Sequence, residues 1–409
     1  MRTATAIIFL LAQPTAGLVA QAYAPDSTDT RRVRVEGYGI IDYAHYAWDT
    51  EPGRPAILDL ERLVVEGVYS PTPKLAFEAE VEFEHGGTGS SVEIEPGPGT
   101  GVLESAVEKG GEIVLEELHV TYALASWLDV RAGHFYVPVG YLSSKYKPSE
   151  YPTVFRPGME TTLLPAQWDE TGVKLMARRR GWRAQLGVVN GLDNSRFGSA
   201  RWIGAGKQRR LEQVRAENLA GFGRLDLLPF PGLVAGVSGY VGNSTGNRPQ
   251  LDLAVPAYVT IGELHADYDR GGWRARGMVL RGWLQNSAAV SAANSLSSGA
   301  GSDPTPVAAQ AAGWSLEAGY DVLRVFRPDA AGSAARLDIF GRYEWYDSMY
   351  RVAAGQVDDP RWQRRQWTLG LNWRMNRYLI LKAEYADRWL GLPAGNHERT
   401  LATGLGAEF

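Results

Sequence analysis

Three cations, Lys145, Lys147 and Arg156, lie in one irregular stretch, residues 137 to 166, with only Glu150 and Glu160 as counter-charges. His134 and Arg131 precede the stretch and Lys174 follows it. Grouped cations of this kind attract anions, and they do so most effectively where water is confined and the field is focused. They perform no bond-making chemistry unaided. Segments this long without structure of their own are uncommon in compact domains and usually serve a function or are disordered. Tyr141, Tyr146, Tyr151 and Phe155 argue against disorder.

Other chemistry finds little support. The six histidines, His45, His85, His119, His134, His265 and His397, include no i,i+4 pair and no H-E-x-x-H, so no metal site is expected. There is no G-x-S-x-G, no phosphate-binding glycine loop and no groupable Ser/His/Asp set, so neither an enzyme nor a cofactor is expected.

The elements that must hold these cations are strands. In LAFEAEVEFEH, residues 75 to 85, Leu75, Phe77, Ala79, Val81 and Phe83 share one face, and Glu78, Glu80, Glu82 and Glu84 the other. The same period of two returns in WSLEAGYDV (314 to 322), ARLDIFGRYEW (335 to 345), QWTLGLNW (366 to 373) and LILKAEY (379 to 385). About 16 such strands fit in the chain, as expected of a general porin-type barrel. Their connections alternate between short turns, as at 70 to 74, 125 to 127, 179 to 181, 229 to 232, 269 to 272 and 375 to 377, and long polar loops. The long loops fall at 85 to 111, 137 to 166, 191 to 216, 243 to 256, 286 to 312, 350 to 363 and 390 to 398. The connection at 325 to 335 is longer than its class should be, and 286 to 312 reads as a low-complexity flexible cover.

Two rims of different length are the mark of a closed antiparallel transmembrane β-barrel, with short periplasmic turns and long extracellular loops. In hydrocarbon such a barrel turns its apolar residues outward and keeps charge inside. The predicted inward cations are Arg32, Arg34, Arg62, Arg131, Lys174, Arg178, Arg183, Arg224, Arg274, Arg276, Arg336, Arg342, Arg374 and Lys382, facing a comparable number of carboxylates. Trp127, Trp182, Trp273 and Tyr378, each just after a short turn, form an interfacial girdle. RRRGW (178 to 182) and RWQRRQW (361 to 367) resemble nucleic-acid patches, but a formal net charge of -4 argues against nucleic acid. They read instead as facing lipopolysaccharide phosphate or fixing barrel ends.

Arg2, the apolar run AIIFLLA and Ala20-Gln21-Ala22 read as a signal peptide over residues 1 to 22. A short periplasmic segment then occupies 23 to 31 and the barrel 32 to 409. The chain has no cysteine, which suits an oxidising compartment. The final LATGLGAEF alternates up to Phe409, the ending that barrel-assembly machinery reads.

Arg131-Ala-Gly-His-Phe-x-Val-Pro-x-Gly140, Trp168-x-Glu170-x-Gly172-Val173 and Val188-Val-Asn190-Gly-Leu-Asp193 resemble signatures of the phosphate-selective porin O/P family. The resemblance runs from about Val33 to Phe409. It implies a 16-stranded barrel, a homotrimer in the outer membrane of a Gram-negative bacterium, and a third long loop folded into the lumen, taken to be 137 to 166. The function expected is a water-filled channel for passive diffusion of small hydrophilic solutes, inorganic anions such as phosphate among them. Lys145, Lys147, Arg156, Arg131, Lys174 and His134 are its expected constriction and anion-binding residues. The alternative is a barrel acting mainly as an adhesin or surface-structural protein.

Overall fold

A computed structural model describes residues 32–87, 91–96, 103–108, 111–142, 145–208, 214–250, 252–297, 306–326 and 335–409. The expected signal peptide and the expected periplasmic segment, residues 1 to 31, lie outside the described residues. The strands, in chain order, are β1 (Val33–Trp48), β2 (Ile57–Thr72), β3 (Leu75–Glu84), β4 (Ser91–Pro96), β5 (Leu103–Glu108) and β6 (Glu112–Ala125). They continue with β7 (Leu128–Tyr136), β8 (Asp169–Arg179), β9 (Trp182–Asn190), β10 (Leu219–Leu227), β11 (Leu233–Asn243) and β12 (Tyr258–Arg270). The last are β13 (Trp273–Leu284), β14 (Gln310–Asp321), β15 (Arg336–Arg351), β16 (Gln363–Arg374), β17 (Leu379–Leu390) and β18 (His397–Glu408). β4 and β5 form a separate hairpin, and the other sixteen close into one antiparallel barrel.

Closure is made by β1 against β18, with Ile41 opposite Leu405 and Ala44 opposite Ala402. At the end of this seam Gly37 and Phe409 exchange both backbone hydrogen bonds, at 3.0 and 2.9 Å. The period of two then decides what each face meets. Val33, Val35, Phe77, Leu118, Leu264, Leu316, Leu369 and Leu401 are all exposed on the outer surface, while Glu80, Glu82, Arg62, Arg342 and Lys382 are buried inside. An outward arginine near mid-membrane would cost about 2–4 kcal/mol, so strands with this pattern have one tolerable orientation. Of the four residues expected to form a girdle, Trp273 and Tyr378 sit exposed beside short turns, while Trp127 and Trp182 are half-buried.

Residues 49 to 56, absent from the long loops anticipated above, connect β1 to β2 on the long-loop rim, which makes 137 to 166 the third loop there. That third loop runs inside the barrel. It carries helix α1 (Gly158–Leu163) and buries Val137, Val139, Leu142, Met159, Leu163 and Leu164 in a core shared with the wall.

Two expectations for other loops are corrected. Residues 191 to 208 also fold inward, because Phe197, Trp202 and Ile203 are apolar and find a dry place in that core. The benzo end of the Trp202 indole abuts the wall at Gly282, where a Cβ would stand 2.0 Å from it, and its Nε1 donates to the Ala308 carbonyl at 3.1 Å. The segment 286 to 312 is not a featureless cover either. Its described part contains helix α2 (Ser287–Ser297), which buries Val290 and Ala293 at helical spacing. Asn294 of α2 donates to the carbonyls of Asn194 and Phe197 at 2.9 and 3.0 Å, and the buried Arg248 joins Asn194 to Asn294 at 2.7 and 2.6 Å.

RRRGW lies at the short-turn rim, where Arg178 pairs with Asp129 and Arg179 covers the Trp127 ring at 4.9 Å. That run fixes a barrel end. It stands at the opposite rim from RWQRRQW.

Replacing Trp202 with Ala removes a fully buried indole and should cost about 3–5 kcal/mol. The cost is local. Amide exchange in 191 to 208 and in α2 should accelerate, while exchange in β1, β2 and β18 stays unchanged; equal acceleration throughout would contradict independent docking of this loop.

Candidate functional site

The lumen is a charged wall crossed by a partly apolar loop. On the wall, cations and carboxylates come in registered pairs: Arg34 with Glu36 at 3.0 Å, Arg62 with Glu82 at 3.3 Å, Arg224 with Asp226 at 2.9 Å, Arg336 with Asp338 at 2.7 Å and Arg342 with Glu344 at 2.9 Å. Four of these five pairs are i,i+2 neighbours on one strand, which share the inward face by the strand period. Much of the wall's charge therefore cancels locally.

The third loop spans the lumen because its backbone is held from many sides. Gly140 donates to Ser238 Oγ at 3.1 Å and accepts from Arg224 at 2.9 Å. Arg276 donates to the Glu150 carbonyl at 3.0 Å and Met159 N–H to Glu344 at 3.0 Å. Arg374 reaches the Ser149 carbonyl at 2.8 Å, Lys382 the Tyr151 and Thr153 carbonyls at 2.8 and 2.9 Å, and Val154 N–H the Glu384 carboxylate at 2.7 Å. Ser149 N–H donates to Glu408 at 2.8 Å. Strands β10 to β18 thus supply most of the anchors, and the loop has little freedom to leave the lumen without losing them.

The six residues singled out in the sequence divide by what they touch. Lys145 sets its amine 3.3 Å from Asp267 and 4.1 Å from the centre of the Tyr141 ring, whose hydroxyl it also meets. Lys147 pairs with Glu36 of β1 at 3.1 Å, with both side chains more than a third exposed. Arg156 is buried; it donates to the Leu142 carbonyl at 2.6 Å and to that of Ala166, and stacks 4.4 Å from the Tyr146 ring. Its guanidinium therefore clamps the two ends of the loop. Arg131 donates to Thr121 Oγ1 at 3.1 Å and lies 3.6–3.8 Å from Glu117 and Glu78. Lys174, directly opposite Arg131 in register, donates to the Tyr136 carbonyl at 3.2 Å. His134 bridges Thr171 at 3.0 Å and Asp169 at 2.6 Å.

Burial, and after it the Arg276 guanidinium, hold the Lys145 amine down to about 7. Burial pulls Lys147 down as well, but the Glu36 carboxylate outweighs it and the amine titrates above its ordinary value. Within the same loop, burial pushes the Glu160 carboxyl up to about 7 in spite of Arg156, while its oxygens accept from Leu142 N–H at 2.9 and 3.2 Å. One loop thus carries an acid and a base that both change charge near neutrality.

Sequence reasoning missed the wall residues that hold the loop, Glu344, Glu384, Arg374 and Glu408. Their inward facing was legible, but partners more than 180 residues away were not. The residues 191 to 208 left a readable trace, since an aromatic, apolar FGSARWIG is out of place in a solvated loop.

No known protein-family model matches the chain. A protein of Aquifex aeolicus described only as uncharacterized is 24% identical over 355 residues, spanning 86% of this chain and 75% of that one. Among solved structures, the anion-selective porin from Comamonas acidovorans superposes with a TM-score of 0.55 at 14% identity, covering 92% of this chain and 99% of the other. Salmonella typhi OmpF in complex with daunomycin gives 0.56 at 11% identity, covering 92% and 97%. The fold is that of the outer-membrane porins. A loop-deletion form of OmpT, an outer membrane protein of Vibrio cholerae, gives 0.55 at 11% identity, covering 92% and 99%.

Gly140 tests how firmly the loop is seated. Its φ of +93° suits glycine, and a Cβ there would stand 2.5 Å from Glu160 Oε1. Gly140→Ala should cost about 1–3 kcal/mol in backbone strain and raise proteolysis within 140 to 166 while the barrel stays folded; unchanged loop protection would show that the loop is held elsewhere.

Proposed function

We propose that the chain is an outer-membrane porin, a channel for passive diffusion of small hydrophilic solutes with a preference for inorganic anions such as phosphate. The reading rests on one observation: inside a closed barrel with an apolar exterior, a wall of largely paired charge is crossed by a loop bearing Lys145 and Lys147. Where most charge cancels, a small local surplus sets selectivity, because a narrow low-dielectric passage focuses its field. Lys145 and Lys147 supply that surplus because each shares its carboxylate with an arginine: Glu36 takes both Arg34 and Lys147, and Asp267 both Arg276 and Lys145. Arg131, Lys174 and His134 stand on the wall at the base of the loop as the remaining residues of the proposed anion path, and Arg156 fixes the loop. The resemblance to phosphate-selective porins and the anion-selective porin among the structural neighbours agree with this reading. We assign the protein to the outer membrane of a Gram-negative bacterium as a homotrimer, its long loops toward lipopolysaccharide and Phe409 addressed by the assembly machinery.

The decisive experiment is the reversal potential of refolded protein in a planar bilayer under a KCl gradient, with and without phosphate. Anion selectivity that falls in Lys145→Gln/Lys147→Gln, together with current reduced by phosphate, is expected. A cation-selective or unselective pore overturns the anion assignment; no conductance overturns the channel and leaves an adhesin or surface-structural barrel.

The pH dependence has a definite sign. Below about pH 7 Lys145 is charged and Glu160 neutral, and above it the reverse holds, so the loop loses two units of positive charge as pH rises. The anion-to-cation permeability ratio should therefore fall between about pH 6 and pH 8. Lys145→Gln should flatten part of that fall, and a ratio rising with pH would refute the assignment.

A further inference from the structure

A second feature of the lumen wall is independent of conduction. Glu78 on β3 and His119 on β6 stand directly opposite each other in register, and Glu117 lies two residues before His119 on the same inward face. His119 Nε2 is 3.4 Å from Glu78 Oε1 and 3.5 Å from Glu117 Oε1, and one donor atom from each of the three residues falls within 4.8 Å of the others. Zinc-like ions bind imidazole nitrogen and carboxylate oxygen at about 2.0–2.2 Å, so tetrahedral donors lie roughly 3.3–3.5 Å apart. Two of the three edges already have that length.

The imidazole itself points to a ligand. His119 is 3% exposed, its Nε2 meets the two carboxylates only at 3.4 and 3.5 Å, and its Nδ1 has no hydrogen-bonded partner among the described residues. A buried polar group left in that state is costly and rare. A β-bulge adds to the arrangement: the register shifts between Glu80 and Val81, so that Glu116 and Glu117, consecutive in sequence, are both buried. Bulges re-aim side chains in this way and concentrate near functional sites.

We propose that Glu78, Glu117 and His119 form a binding site for a divalent transition metal such as Zn²⁺, with a fourth position open to water or a permeating anion. Three protein ligands leave the fourth position open, whereas structural sites are closed by four protein ligands. Arg131 is the competitor. Its guanidinium lies 3.8 Å from Glu78 Oε2 and 3.6 Å from Glu117 Oε1, the latter oxygen also accepting from Tyr136 N–H at 3.3 Å. It neutralises the carboxylates when the metal is absent and weakens metal binding through its own charge. The pattern escapes a search built for helices, since ligands on a strand recur at i,i+2 and across the register, not at i,i+4.

The test is Co²⁺ titration of untagged, folded, full-length protein, read by visible absorption and by calorimetry. One Co²⁺ per chain with a tetrahedral spectrum is expected, displaced by Zn²⁺. His119→Ala and the isosteric Glu78→Gln should each abolish that spectrum, while Arg131→Gln should tighten binding about tenfold by removing one repelling charge. Circular dichroism and heat-modifiable gel mobility identify variants that fail to fold, and Arg131→Gln supplies a gain that misfolding does not imitate. Absence of stoichiometric binding, or binding unchanged in His119→Ala and Glu78→Gln, overturns the proposal.

Discussion

Hydrocarbon offers no hydrogen bonds, and this single constraint determines most of what the chain does. Every N–H and C=O of a spanning strand must find its partner in another strand, so the sheet can have no edge. The β1–β18 seam meets that demand along eleven registered pairs, ending where Gly37 and Phe409 exchange both bonds. Closure then forces an inside and an outside. Because side chains alternate, each strand must carry an apolar residue wherever it meets lipid and is free to carry charge at every other position.

That freedom creates a second problem. A lumen lined with arginines and carboxylates but left unpaired would repel itself and bind counter-ions indiscriminately. The wall answers with i,i+2 pairs such as Arg224–Asp226, Arg336–Asp338 and Arg342–Glu344, which neutralise one another on a single strand. Other wall cations go to the loop backbone: Lys382 to the carbonyls of Tyr151 and Thr153, Arg374 to that of Ser149. The same side chains that line the barrel thus fix the loop across it.

This division explains what could be read in advance. The strands, their facing and the two rims follow from the period of two, a local property that one segment displays by itself. LAFEAEVEFEH shows its lipid face without reference to any other residue. The path of the third loop was accessible only as a resemblance and a loop count, since the anchors Glu344, Glu384 and Glu408 come from strands far away in the chain. Trp202 marks the boundary between the two cases. Its apolar bulk signals burial, but the dent it fills exists only because Gly282 lies on a wall strand that the sequence order does not place beside it. The α2 segment failed for another reason: Ala and Ser at low complexity resemble a flexible cover, and only the helical spacing of Val290 and Ala293 betrays a buried face.

Pairing on the wall also changes how the charge inside such a barrel should be read. Counting arginines around the lumen overstates the positive field, because a guanidinium 2.7–3.3 Å from a carboxylate contributes mainly a dipole at longer range. In the channel proposed here, what acts on an ion is the remainder, and it arises where a loop lysine joins a carboxylate that already faces an arginine, Lys147 at Glu36 beside Arg34 and Lys145 at Asp267 beside Arg276. There Lys147 is held protonated by Glu36, whereas Lys145, wedged between Asp267 and Arg276, is held near the point of losing its proton. Two lysines two residues apart therefore differ in kind: one supplies a fixed charge to the passage, the other a charge set by the surrounding solution.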